Sequence, residues 1–315
     1  MAVTPIQAGG FEHGLGFFGS DDEFAATFTP FCRDALEQDA PVVVRVADRY
    51  AELLRDDLGP DAGVVFAAQG DQYQDPPGAL RNAIDLIERH SHPTRPVYLL
   101  GELPPMTGLG RDAWVRYEAA ANRVLDQRRV KALCATDTRG LDASLKDDLL
   151  RSHHVIVDAD GSQPNPAFTT PEVAAAARTP VRDPLEHTSP ALQLHNPTPG
   201  AARHAVARLA AASGVRPAQI DDLLVGLSEV LGNAIRHGTE PVQVSAWSVA
   251  GKVVVAVRDS GSGPADPFVG LLPQGEPGER VGGLGLWISH RLCPQISLSV
   301  DASSFTVRMA VEAAA

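Results

Sequence analysis

The chain has 315 residues, 44% of them apolar and 21% charged. At about 100–200 residues per domain, this predicts two domains, each able to bury a core. Its 27 basic and 39 acidic residues leave a formal charge of −12 without any long basic tract, which argues against direct nucleic-acid binding. Cys32, Cys134 and Cys293 are too far apart in sequence for a disulfide framework or a metal knuckle. The start, MAVTPIQAGG, has no basic stretch leading into an apolar run, and no segment approaches about 18 apolar residues. The expectation is a cytoplasmic protein that makes no membrane contact.

Residues 1–179 alternate apolar runs with helical patterns. Strands are predicted at Pro41–Ala47, Val64–Ala67, Pro96–Leu100, Val130–Ala135 and Val155–Val157. Helices are predicted at Asp21–Gln38, Gly78–Arg89, Arg111–Gln127 and Leu141–Arg151. Ser20 followed by Glu23 reads as a capping box. The strands are continuous apolar runs, the mark of a sheet covered on both faces, so this domain is an α/β sandwich. GLGFFGS at Gly14–Ser20 lacks the lysine of a P-loop. His13 reads as a strand cap rather than a ligand. Trp114, Glu118 and Asn122 share a helix face, Trp114 as packing and the other two as candidates to line a cleft. Cys134, in an apolar strand, reads as a small buried side chain.

Proline-rich sequence at 180–197 predicts a linker. From 198 to 315 the pattern is α+β: helices at Ala201–Ala212, Pro217–Arg236 and Leu284–Leu292, with strands at Val242–Val249, Lys252–Arg258, Gln295–Val300 and Ser304–Val311. Helices on one face of a mostly antiparallel sheet are expected. Three segments here carry chemistry. Glu229, Asn233 and His237 recur every fourth residue of one helix and share a face. An asparagine carbonyl is a hard oxygen ligand for Mg²⁺, and a glutamate can deprotonate a hydroxyl. Asp259-Ser-Gly261-Ser-Gly263 follows a strand, where the carboxylate can accept from an exocyclic amine and the glycines admit a flat base. Gly282-Gly283-Leu284-Gly285-Leu286 opens a helix whose N–H groups suit a polyphosphate.

In this order, SEVLGNAIRHG, DSGSG and GGLGLWISHRLC resemble the three boxes of the Bergerat-fold ATPases (gyrase, Hsp90, MutL and the histidine-kinase ATPase domain) and, more narrowly, the RsbW-type serine-kinase anti-sigma factors. The resemblance covers residues 200–312 and implies a site for ATP and Mg²⁺. It implies that Asn233 holds Mg²⁺, Asp259 reads the adenine amine, and Gly261 and Gly263 make room for base and ribose. Gly283 and Gly285, with Leu284 and Leu286 beside them, would meet phosphate, and Arg236 and His237, near the end of the helix that carries Asn233, would touch phosphate or a partner. Glu229 would be the catalytic base, and residues 264–282 the lid. The final hairpin departs from the pattern, with Asp301-Ala-Ser-Ser304 in place of a glycine-containing turn.

In the first domain, FxxxFxPFCRDAL, WVRYEAAANRVL, ALCATDTRGL and NPAFTTPE, starting at Phe24, Trp114, Ala132 and Asn165, resemble the MEDS sensory domain. That family looks like a RecA or KaiC core without its P-loop and implies a small-molecule ligand. His153-His154 stands where the family has a His-Pro pair. Together the two domains resemble RsbA-type anti-sigma regulators. The resemblance implies an ATP-dependent serine/threonine kinase acting on a STAS-type anti-sigma factor antagonist, a bound sigma factor, and a homodimer, with a monomer left open. His153, His154, His187 and His195 do not read as phosphoacceptors, because none sits on a long amphipathic helix. The alternative is a nucleotide-dependent protein-binding switch without phosphotransfer.

Overall fold

The computed structural model describes residues 10–59, 62–67, 75–272 and 284–313. The chain forms two compact units. The first comprises Met1–Tyr73, Ala79–Pro105 and Glu118–Ala177; the second comprises Gln74–Gly78, Met106–Tyr117 and Arg178–Ala315.

The first unit is an α/β sandwich. Its elements are β1 (Phe11–Phe18), α1 (Asp21–Glu37), β2 (Val42–Arg45), α2 (Asp48–Leu58), β3 (Val65–Phe66), α3 (Pro76–Arg89), β4 (Val97–Glu102), α4 (Gly110–Leu125), β5 (Val130–Asp137), α5 (Ala143–Ser152), β6 (Val155–Asp158), β7 (Gly161–Pro164) and α6 (Pro171–Ala177), the first residues of α3 and α4 being assigned to the second unit. The sheet order is β3-β2-β4-β5-β1-β6-β7, and all pairs are parallel except β6–β7.

The interior strand β1 is absent from the sequence-based assignment, which treats its glycines only as a failed P-loop. Those glycines are packing devices: a Cβ on Gly16 would stand 2.6 Å from the Phe28 ring of α1. The bare backbone lets the helix press onto the sheet. Helix α2 was also unexpected. Its sequence, DRYAELLRDDL, is largely charged and buries only Tyr50, Ala51 and Leu54. Tyr50 nonetheless stacks on Phe24 with ring centroids 4.3 Å apart, closing an aromatic core with Phe18 and Phe28. Ser20 caps α1 by accepting from the Glu23 N–H, while Glu23 Oε2 reaches back to the Gly19 N–H at 2.6 Å, one residue before the usual capping-box partner.

The second unit is α+β. It contains β8 (Leu192–His195), α7 (Pro199–Ala210), α8 (Pro217–His237), β9 (Gln243–Val249), β10 (Lys252–Asp259), α9 (Leu284–Leu292), β11 (Gln295–Asp301) and β12 (Ser304–Glu312). The sheet is antiparallel throughout, in the order β11-β12-β10-β9-β8. Val253, Val255 and Val257 of β10 face the helical core with Leu223, Leu227 and Val230 of α8. Val254 and Ala256 point the other way, into a smaller cluster with Leu109, Trp247 and Ala310. Both faces of β10 are therefore covered, which explains the unbroken VVVAV run.

Part of the second cover comes from the stretch expected as a linker. Within 180–197, Pro184–His187 forms a turn of 3-10 helix, and β8 adds a fifth strand beside β9. Glu186 accepts from Arg308 Nε at 2.8 Å, Ser297 Oγ donates to Val181 O at 3.1 Å, and Trp247 Nε1 donates to Thr188 O at 3.1 Å. Proline density marks a route pinned to the sheet here. Among the described residues no helix is long and apolar enough to cross a membrane.

Leu227 is fully buried on α8, while Val225 on the same helix is 46% exposed. Leu227→Ala should cost about 2–5 kcal/mol and Val225→Ala less than about 0.5 kcal/mol, read from urea denaturation.

Candidate functional site

The end of β10, the C-terminal turn of α8 and the loop after β10 meet around one carboxylate. Asp259 is buried, at 4% exposure. Its Oδ1 accepts from the Gly261 N–H at 2.7 Å and from the Thr239 N–H at 3.2 Å. Ser260 N donates to Thr239 O at 2.8 Å, tying the two segments again. These bonds fix the carboxylate and leave Oδ2 without a hydrogen bond among the described residues. Close approach here demands glycine. A Cβ on Gly238 would lie 2.6 Å from the Asp259 carboxyl carbon, and one on Gly261 2.7 Å from its Oδ1. Gly263 has φ +73° and leaves no room beside Phe305.

A cavity of about 410 Å³ opens beside this carboxylate. One wall is α8, through Val230, Asn233, Ala234 and His237; another is the sheet, through Val257, Phe305 and Val307; the remainder is Gly238, Thr239, the loop Gly261–Pro264, Val269 and Leu286. The apolar walls suit a flat base, and the polar groups gather at Asp259 and Asn233.

Of the residues singled out from sequence, Asn233, His237, Asp259, Gly261, Gly263 and Leu286 line the cavity. Asn233 Oδ1 accepts from Arg236 Nη2 at 2.9 Å; Arg236 itself is exposed. Glu229 is partly buried and does not line the cavity. Gly285, also outside the lining, is a packing glycine: a Cβ there would stand 2.9 Å from both Glu229 Oε2 and Asn233 Nδ2. Leu284 begins α9. Gly283 and residues 273–282 of the stretch expected as a lid lie outside the described residues. The sequence reading missed Thr239, Phe305 and Val307. Phe305 and Val307 carry only the alternation of a β-strand, and nothing local marks their approach to Asp259.

The segment after Pro264 is anchored within the same unit. Arg116, 1% exposed, donates from Nε to Pro267 O at 2.9 Å, from Nη2 to Val269 O at 2.6 Å, and from Nη1 toward His290 Nε2 at 3.4 Å. Burial pulls the guanidinium down to about 10, with Asp112 opposing, so it stays charged at neutral pH. Burial, then the Arg116 charge, push His290 well below its ordinary value, so the ring is neutral and accepts from Arg116. Gly270, at φ +82°, lets this segment touch α9: a Cβ would meet His290 Cδ2 at 2.8 Å and Leu286 Cβ at 2.9 Å.

Residues 197–311 match the family model of the histidine kinase-like ATPase domain. Residues 12–154 match the MEDS family, the methanogen/methylotroph, DcmR sensory domain. The chain is therefore a MEDS sensory domain followed by a histidine kinase-like ATPase domain. Among solved structures, the RsbU and RsbW domains of Rv1364c from Mycobacterium tuberculosis are 20% identical over 39% of this chain and 33% of that one, with a TM-score of 0.27. The histidine kinase AdeS from Acinetobacter baumannii is 20% identical over 30% of this chain and 46% of that one, with a TM-score of 0.25. This chain thus spans a third of the first and under half of the second, and likeness at that level carries no functional weight. No curated protein matches the chain.

His290 gives the second unit a pH dependence of definite sign. Its folded pKa lies below the unfolded value of about 6.5, so the unfolded chain takes up the proton first. Its contribution is complete above about pH 6.5 and falls below it, by at most about 1.4 kcal/mol per pH unit. His290→Gln keeps an acceptor for Arg116 and should flatten that slope in urea denaturation run from pH 7 to pH 5.

Proposed function

We propose that the second domain binds ATP with Mg²⁺ and transfers the γ-phosphoryl group to a serine or threonine of an anti-sigma factor antagonist. In this reading the first domain senses a small molecule, and the ATPase domain also binds a sigma factor. The observation that carries it is the buried Asp259, locked through one oxygen, at the end of an apolar cavity that also holds Asn233.

Asp259 would accept the exocyclic amine of adenine through Oδ2, with Val257 and Val307 at the base. Asn233 Oδ1 is a hard oxygen and fits Mg²⁺. It now accepts from Arg236, which would turn its guanidinium to a phosphate once the cation takes that oxygen. Mg²⁺ would neutralise charge developing on the phosphates, and the protein's share is alignment. Glu229, four residues before Asn233 on α8, would take the proton of the acceptor hydroxyl. Gly283 and Gly285 would border the phosphates, with Gly285 also letting α9 approach Glu229 and Asn233.

A second reading, a nucleotide-dependent binding switch without transfer, is favoured by one fact: Glu229 does not line the cavity. One set of variants separates the two. Asp259→Asn should weaken ATP binding about 10–100-fold in calorimetric titration, the loss expected for a charged hydrogen bond. Asn233→Ala should remove the magnesium dependence. Glu229→Ala should leave binding within about threefold and abolish transfer of labelled phosphate to the antagonist. Unchanged transfer by Glu229→Ala would sink the catalytic assignment. Folded protein that binds no ATP would sink the nucleotide site itself.

A further inference from the structure

The first unit contains a polar cluster that the nucleotide site does not use. His13 of β1, Glu118 of α4, Cys134 of β5 and His153, the residue closing α5, point their donor atoms at a common centre. All four atoms lie within 4.8 Å of one another. His13, Glu118 and His153 are buried, at 2%, 0% and 0% exposure, and Cys134 is partly so. His13 Nε2 is 3.3 Å from Cys134 Sγ and 3.4 Å from Glu118 Oε2. His153 Nε2 is 3.4 Å from the same Oε2, and Cys134 Sγ is 3.6 Å from it.

The hydrogen bonds behind the cluster decide what the front can do. His153 Nδ1 lies 2.7 Å from Leu149 O, an acceptor, so Nδ1 carries the hydrogen and Nε2 a bare lone pair. Asn122 Nδ2 donates to Ser152 O at 2.6 Å, which fixes its amide so that Oδ1 faces His13 Nδ1 at 3.1 Å. His13 is thereby held with hydrogen on Nδ1 and a lone pair on Nε2. Two imidazole lone pairs and a carboxylate then converge where water has little access. Among the described residues, His153 Nε2 and Glu118 Oε1 have no hydrogen-bond partner. The Cys134 thiol donates to Glu118 Oε2, but the two imidazole lone pairs and the carboxylate are acceptors facing one another, which is unfavourable unless a positive charge sits between them. One proton can serve one of these contacts, whereas a divalent cation serves all four.

We propose that His13, Glu118, Cys134 and His153 form a four-coordinate site for a zinc-class divalent cation inside the first unit. Zinc bound at about 2.0–2.3 Å by nitrogen, oxygen and sulfur in a tetrahedron separates its ligands by about 3.3–3.8 Å. Four of the separations, from 3.3 to 3.6 Å, fall in that range. Carboxylate and thiolate together cancel the charge of the ion, so the buried site is neutral when filled. Nitrogen and sulfur donors select Zn²⁺ over Mg²⁺ or Ca²⁺. The backbone carbonyl behind His153 and the carboxamide behind His13 are the outer partners that orient metal-binding imidazoles. The ion joins three elements and the end of a fourth, and with four protein ligands the site is closed.

The test uses the full chain without nucleotide. Its metal content by mass spectrometry should be about one zinc per chain. Exchange for Co²⁺ should give the intense visible bands of four-coordinate cobalt and a near-ultraviolet thiolate-to-cobalt band. Cys134→Ser should lose the thiolate band, and His153→Gln should weaken Co²⁺ binding at least about tenfold, with folding followed by circular dichroism. If either variant fails to fold, the wild-type spectrum decides. Folded wild-type protein that carries no metal and takes up neither Zn²⁺ nor Co²⁺ overturns the proposal. Cobalt bound without a thiolate band, or bound equally well by both folded variants, overturns it too.

Discussion

The ATPase domain is organised around a buried carboxylate at the end of a strand. A charge at the position of Asp259 is tolerable only if strong hydrogen bonds replace water. The N–H groups of Thr239 and Gly261 supply them, and in doing so join the segment leaving α8 to the loop leaving β10. Gly238 and Gly261 follow from the same contact, because any side chain would strike the carboxylate. The cavity is what remains between these pinned segments and the two elements that carry them. Its apolar walls come from the inner faces of α8 and the sheet, and its polar end from Asp259.

Covering β10 on both faces keeps that carboxylate in place. Helices α7, α8 and α9 lie on one side, and residues 181–188 with Leu109 lie on the other. The second cover is held by polar as well as apolar contacts. Arg308 is buried in the sheet and paired with Glu186, so loss of either would strand a charge. Arg116 plays the same part for the segment after Pro264: one buried guanidinium donates to two backbone carbonyls, those of Pro267 and Val269. Glycine sets the close approach here as well, at Gly270 against α9 and at Gly285 against α8.

Much of the ATPase domain was legible in the sequence because its signals are local. The four-residue spacing of Glu229, Asn233 and His237 defines a helix face, the valine run of β10 a doubly covered strand, and DSGSG a turn after it. The alternation of capped helices and apolar runs likewise specified an α/β first domain. In the same domain the glycines of β1 hid its strand, since their purpose, admitting Phe28, depends on a helix that packs from outside the strand. Charge hid α2, because its stability rests on three buried side chains and an aromatic stack rather than on a wide apolar stripe.

By itself the sequence determined the two fold classes and the relative order of those elements that carry a local signal. Periodicity, capping and turn chemistry act between neighbours a few positions apart and need no knowledge of the rest of the chain. Tertiary structure alone decided that proline-rich residues would lie against the sheet, that Phe305 and Val307 would wall the cavity, and that Gly285 would serve helix packing. It also decided that His13, Glu118, Cys134 and His153, which form no spacing motif, would share one centre. Their convergence depends on parallel pairing that sets His13 of β1 opposite Ala132 of β5, two residues before Cys134, and on a helix that brings Glu118 over those strands. No local pattern records such a meeting, because it is produced by the packing of segments remote in sequence.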